Sequence, residues 1–483
     1  MNRFVLLLWG VFFLAEGAGR SEGTVTLFGE DASQWAGRRF PVITYSDYIT
    51  LTPDTLGWLE VKENGTFSVT FPVVTTLEVH LFPGKYDLYL FVRPGMRYHL
   101  ALPPLREKSV QDMLNPYFRP DVHPWLPMNT SPDELNYLIL RFEEMFTPMF
   151  YRHASMVAVR RKDTLLAGAV AALRDSFAAA RDPFFLDWME ARVALVETMG
   201  LPRREEVLTR YRSFAGRVSL HNRAYMELFN QVFENYFHYL TRHRHVERLN
   251  AVVKEGEADS LRLLIADDLG IVRQDFIDLV ALKGIYDAWY NKTYDEKELW
   301  ALLQRYAATV ASTALHRVAD NVVKRLGLLR PGSPAPPFAL PDLQGKTVRL
   351  ADLHGKYLLL NFSSRLSYSS LRQFPLLQEL LSRYGDHLQV VTIAIDNEPQ
   401  KLRTFVRTKG YSWPFLVCDL ACNVARIYRV KGYPVYYLLD PEGRVVWAPA
   451  PAPTENFEKE FRDLLEEKGL IRKEEASLPA ARR

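Results

Sequence analysis

The chain has 483 residues, 48% hydrophobic and 24% charged, which is ordinary for a globular protein and long enough for about three domains. Its 60 basic and 57 acidic residues leave a formal net charge of +3, so nothing in the overall charge points to nucleic acid. Two cysteines in so long a chain exclude a disulfide framework, and apolar burial must hold the domains together.

Met1-Asn-Arg3 followed by the apolar run 4–15 has the charged start and short apolar core of a secretory leader. The leader is read as 1–19, with cleavage near Gly17, Ala18 and Gly19, in preference to an uncleaved anchor. No cysteine stands near this site for lipid attachment, and no later stretch is long and apolar enough to span a bilayer. From 22 to 104 the pattern has period two. Asn64-Gly65 stands between alternating segments and predicts one hairpin. Pro94-Gly95, between Tyr86–Val92 and 97–102, predicts another. The expected fold of 22–104 is an antiparallel β-sandwich whose aromatic side chains fill its core.

A proline-rich transition follows, with Pro116, Pro120, Pro124 and Pro127, and residues 105–330 then read as an all-α domain. Ser131-Pro-Asp-Glu134 is read as a capping box with proline at the first helical position. Behind it Leu135, Leu138, Ile139, Phe142, Met145 and Phe146 form an apolar stripe. Further helices are predicted over 162–181, 183–199, 202–213, 222–242, 258–268, 272–290 and 294–326. The stripe Tyr225, Leu228, Phe229, Val232, Phe233, Tyr236, Phe237 and Leu240 is a core face. His238, His243 and His245 invite a zinc reading, but His243 points away from the other two and no nearby Cys, Asp or Glu completes a ligand set. Interleaved with arginines, they are read as the basic end of a helix, and no metal or other cofactor is expected.

The segment 331–470 has the order of a βαβ unit. Lys356–Phe362 is a short apolar run, a polar loop 363–370 follows, and Phe374, Leu376, Leu377, Leu380 and Leu381 mark a helix. Leu388–Asp396 is a second buried strand, Gln400–Lys409 a second helix, and Pro434–Asp440 a third strand. That strand leaves through Asp440-Pro-Glu-Gly443 into a hairpin with 444–447. The tail 471–483 is charged and expected to lie outside the fold. The fold class is therefore multidomain: an N-terminal antiparallel β-sandwich, a central all-α domain and a C-terminal α/β domain.

Several stretches of this last segment together resemble the TlpA/ResA group of thioredoxin-like proteins, related to the AhpC/TSA peroxiredoxins. They are Gly332-Ser-Pro-Ala-Pro-Pro-Phe338, Asp342-Leu-Gln-Gly-Lys-Thr-Val-Arg-Leu350, His354-Gly-Lys356, Asn361-Phe362, Gly432-Tyr-Pro434 and Asp440-Pro-Glu-Gly443. The resemblance covers about a quarter of the chain and implies a thioredoxin-like domain over 331–470. It makes Pro434 a cis proline facing the active-site loop and implies export to the bacterial periplasm. Similar sandwich modules precede many thioredoxin-like domains of that compartment. Counted back from Pro375, the two cysteines of the family's C-x-x-C pair fall on Ser367 and Ser370, and a carboxylate of the ResA-like branch falls on Gln373. Thiol-disulfide exchange needs a thiolate, and a serine hydroxyl forms no mixed disulfide. Ser364 holds the place of the serine or threonine that assists a peroxidatic cysteine, but that cysteine is missing.

The remaining thiols, Cys418 and Cys422, flank Asp419 at the expected start of a helix carrying Val424, Ile427 and Tyr428. They are read as a small disulfide or as buried thiols, ahead of a displaced redox pair. The expected function is binding of another exported protein or peptide in a groove beside Tyr368, Tyr433 and Pro434, with the Tyr433 ring covering the loop at Tyr368. The alternatives are a thiol-disulfide oxidoreductase or peroxidase working through Cys418 and Cys422, and a structural scaffold of the cell envelope. No G-x-S-x-G elbow, Walker loop or H-E-x-x-H occurs.

Overall fold

The computed structural model describes residues 23–472, except 110, 113, 114, 116, 117, 160–162, 200, 202, 244, 397 and 419–423. The expected leader 1–19 and nearly all of the expected tail lie outside the described residues, as do Cys422 and Asp419. The chain divides into two compact units: residues 1–106 with 120–318, and residues 107–119 with 319–483. Among the described residues, no helix is long and apolar enough to cross a membrane.

In the N-terminal unit the strands are β1 (Gly23–Gly29), β2 (Arg39–Tyr45), β3 (Pro53–Glu60), β4 (Phe67–Val73), β5 (Leu77–Leu81), β6 (Tyr86–Val92), β7 (Arg97–His99) and β8 (Asp121–Pro124). They form two sheets, ordered β4-β1-β7 and β3-β2-β5-β6-β8. Strict alternation of buried and exposed residues along β4 gives each of its faces one environment. Val25, Leu27, Val69, Phe71, Val79, Leu88 and Trp35 share one apolar core. Pairing is antiparallel except for two parallel neighbours, β1 with β7 and β6 with β8. Neither predicted hairpin closes as a two-stranded ladder. The Asn64-Gly65 turn makes one bridge, Val61 to Phe67, and then sends β3 and β4 into different sheets. Pro94-Gly95 likewise separates β6 from β7. A tight turn specifies a reversal, and burial of the alternating faces decides which neighbour each strand takes.

The helices of this unit start with α1 (Leu135–Ala158), α2 (Leu166–Ser176), α3 (Pro183–Thr198) and α4 (Arg204–Tyr211). They continue with α5 (Arg223–Val232), α6 (Tyr236–His243), α7 (Val246–Glu255), α8 (Ala258–Leu269), α9 (Gln274–Tyr290) and α10 (Glu296–Thr309), and α11 (Thr313–Gly327) begins in this unit and runs past its end at residue 318. The capping box expected at Ser131 is not formed. Residues 131–134 make a turn, and Glu134 itself caps α1 by accepting from the Asn136 N–H. The helix expected over 222–242 is broken at Asn235, which takes a left-handed φ of 52° and donates its N–H to Asp287 Oδ2 at 3.0 Å. All eight stripe residues are buried all the same. The helix expected over 294–326 stops at extended Val310. The Thr309 hydroxyl donates to the Tyr306 carbonyl there, and a new turn starts from Ser312. α7 was not predicted, although Leu249, Val252 and Val253 form its buried stripe and Gly256 ends it at φ 69°.

In the C-terminal unit, β9 (Ala339–Pro341) and β10 (Thr347–Arg349) form a small hairpin. The main elements are β11 (Tyr357–Ser363), α12 (Tyr368–Tyr384), β12 (Leu388–Ile395), α13 (Pro399–Lys409), β13 (Phe415–Cys418), α14 (Val424–Ile427), β14 (Val435–Leu439), β15 (Val445–Ala450) and α15 (Phe457–Glu467). The sheet order is β13-β12-β11-β14-β15. β11, β12 and β13 are parallel, β14 runs against them, and β15, antiparallel to β14, returns to their direction. β13 was not predicted: it is four residues long and its pattern is too brief to separate from a loop. Every residue of β11 is buried, as a central strand covered on both faces requires. One apolar layer contains Leu359, Phe374, Leu377, Val390, Leu438 and Phe461. The other contains Leu358, Leu360, Phe362, Ile393, Cys418, Tyr428 and Tyr437.

Candidate functional site

The parallel strands deliver their C-terminal ends to one edge of the sheet, with Ser363 beside Ala394 and Ile395 beside Cys418. The loop after β11 turns there into α12. Ser367 is the N-cap of that helix, its Oγ accepting from the Ser370 N–H at 3.4 Å. The same Oγ donates to the Tyr433 carbonyl at 3.3 Å. Ser370 lies buried in the first turn, and its Oγ accepts from the Ser364 N–H at 3.4 Å. Both serines are thus built into the helix start and are not idle positions in a loop. The Tyr433-Pro434 peptide bond is cis.

Gln373 lies one turn further along α12, where its Oε1 accepts from the Tyr436 hydroxyl at 3.4 Å. Burial in the apolar sheet holds that phenol well above the usual tyrosine range. The expected cover of Tyr368 by Tyr433 is not formed. Tyr433 packs against the apolar layer under Phe362, with its phenol raised by burial, while Tyr368 stands 74% exposed. Leu366, on the other side of Ser367, is also exposed. Two apolar side chains therefore flank the cap on the solvent side.

Three neighbouring groups were not singled out from the sequence. Arg365, inside the loop, places its Nε 2.6 Å from Asp396 Oδ2 and pairs with Glu398 as well. Asp396 is 1% exposed, so this pair ties the loop after β11 to the end of β12. Lys401, then Arg365, hold the Glu398 carboxyl below the usual carboxylate range. A signal was available: opposite charges directly following two adjacent apolar parallel strands meet at one sheet edge. Deeper in the sheet, the Asn361 amide and the Trp413 indole donate to Thr392 Oγ1 at 3.1 and 2.8 Å.

Cys418 ends β13, is fully buried and is disulfide-bonded. Of the histidines, His245 Nε2 lies 3.9 Å from Asp268, which accepts from the Tyr236 hydroxyl, and the His243 side chain is outside the described residues. No group of three metal-ligating side chains occurs among the described residues. The Ser367 hydroxyl touches a backbone amide and a backbone carbonyl. Neither is a base that activates a nucleophile.

This sheet order, with a helix capped against a cis proline at the end of the central strand, is that of a thioredoxin-like domain. Residues 331–448 match the AhpC/TSA family. The chain is 30% identical over 171 residues to the thiol-disulfide oxidoreductase ResA of Halalkalibacterium halodurans, covering 35% of this chain and 96% of that protein. It is 31% identical over 123 residues to the thioredoxin-like protein YneN of Bacillus subtilis, covering 25% and 71%. A solution structure of a thiol:disulfide interchange protein from a Bacteroides species is 22% identical, covering 31% of this chain and 95% of that one, with a TM-score of 0.27. The chain belongs to the TlpA/ResA-like family of thioredoxin-fold proteins.

Proposed function

We propose that this is an exported member of the family whose thioredoxin-like domain binds a segment of another exported protein or peptide and performs no thiol chemistry at the helix start. The observation that carries this reading is the bonding of Ser367 and Ser370. The Ser367 hydroxyl is spent on the cap and on the carbonyl before the cis proline, and the buried Ser370 Oγ on the Ser364 N–H, where the resemblance puts the reactive pair. A hydroxyl there ionises far too weakly to attack a disulfide. Exposed Leu366 and Tyr368 flank the cap near Pro434 and offer apolar contact to such a segment. Residues 1–19 serve as the export leader and the periplasm is the compartment, which accords with an oxidised Cys418. Residues 22–104 and 105–330 supply the sandwich and helical parts, 331–470 the binding domain and 471–483 a charged tail.

The test is reduction of insulin disulfides and of hydrogen peroxide by the purified full chain. No turnover above background is expected, and Ser367→Cys combined with Ser370→Cys should introduce an oxidisable dithiol on the intact frame. Turnover in the unmodified chain that disappears with Cys422→Ser would overturn the proposal in favour of an oxidoreductase working through Cys418 and Cys422.

A further inference from the structure

A second concavity in the C-terminal unit lies at the other end of β13, beside Phe415 rather than Cys418. It has a volume of about 780 Å³ and opens between the β9–β10 hairpin and the segment joining α13 to β13. That size falls within the range of small-molecule sites. Its aromatic side is half-buried Tyr411, tilted by 35° against Trp413 with ring centroids 4.9 Å apart, backed by a stack of the buried Trp413 on Phe415 at 5.5 Å. The stack is rigid because the Trp413 indole is anchored to Thr392 and Phe415 belongs to the sheet.

The charges on the wall are unequal in freedom. Asp342 is short and pinned, its Oδ1 accepting the Gln344 and Lys346 N–H groups of the hairpin turn, each at 2.9 Å. Asp352 is likewise occupied by the Arg349 N–H. Lys346 and Arg349 are exposed, line the same cavity and have no ion-pair partner among the described residues. A third cation, Arg403, borders it by donating to the Leu343 carbonyl. Long, unpaired cations over a fixed aromatic wall suit a flat apolar body carrying an anionic group.

We infer that this cavity is a binding site for an aromatic or apolar carboxylate or sulfonate, held by Lys346 and Arg349 against Tyr411 and the rings that back it. The inference stands independently of the groove beside Pro434. The probe is 8-anilinonaphthalene-1-sulfonate, titrated into the full chain and followed by its fluorescence. One saturable site is expected, with affinity about tenfold lower in Lys346→Gln combined with Arg349→Gln. The same loss is expected in Tyr411→Ala, and N-phenyl-1-naphthylamine, which lacks the sulfonate, should bind about tenfold more weakly. Lys346 and Arg349 are exposed and Tyr411 is half-buried, and circular dichroism matching the parent verifies the folding of each variant. Non-saturable binding, equal affinity of the neutral probe, or unchanged affinity in the folded double variant would overturn the inference.

Discussion

In the N-terminal unit, β5 is buried on both faces, and one face carries a charge. Glu78 is fully buried and is met by Arg223 of α5 at 2.5 Å, by the Tyr48 hydroxyl at 3.3 Å and by His80 at 3.7 Å. In the thioredoxin-like unit the central strands carry polarity as the neutral set Asn361, Thr392 and Trp413, and the ion pair Arg365–Asp396 stands at the strand ends. A buried charge fixes how a helical layer sits on a sheet, but it is costly if its partner is lost. A neutral hydrogen-bonded set inside an apolar sheet carries a smaller penalty, and the Arg365–Asp396 pair, as buried as Arg223–Glu78, stands at the strand ends, where it ties down the functional loop and not a central strand.

The contrast predicts a descending series. Arg223→Ala leaves Glu78 buried without its cation and should cost about 3 to 5 kcal/mol in denaturant unfolding of the full chain. Arg223→Met with Glu78→Leu should recover much of that loss, since an apolar pair carries no orphan charge. A small loss in the single variant would mean that water reaches Glu78 and the two units do not differ as described.

Leu359→Ala, at a fully buried position of β11, should cost about 2 to 5 kcal/mol by opening a cavity in the apolar layer. Measured by the same unfolding, this gauges the apolar sheet against the ion pair. Ser367→Ala should cost about 1 kcal/mol, because it removes a helix cap as well as the bond to Tyr433. A cost near zero would show that the cap contributes nothing beyond local geometry.

The smallest effect is on pH. Glu398 has a depressed folded-state pKa, so the stability it contributes is present above the ordinary carboxylate range and is lost as pH falls through the folded value. Hydrogen exchange of the loop 363–367 should therefore rise below about pH 4 in the parent chain, and Glu398→Gln should flatten that rise.

Where periodicity and burial agree over many residues, the sequence alone was sufficient. The apolar strands 357–363 and 388–395, the stripe from Tyr225 to Leu240 and the alternation of 67–73 each declare their element, because one covered face demands one repeat. The absence of a thiol before Cys418 was equally legible, and the family motifs pointed to a cis proline at 434. What remained undecided were matters that depend on neighbours distant in the chain. The turns at Asn64-Gly65 and Pro94-Gly95 do not say which sheet receives the next strand, and Asn235 breaks its helix where Asp287 takes its amide. The candidate site shows the same division: Ser367 is written in the loop, but its bond to Tyr433, 66 residues away, and the pairing of Arg365 with Asp396 exist only once parallel strands bring their ends together. Local pattern specifies elements because it reports burial along one segment, whereas partners across segments are chosen by packing, which no single segment contains.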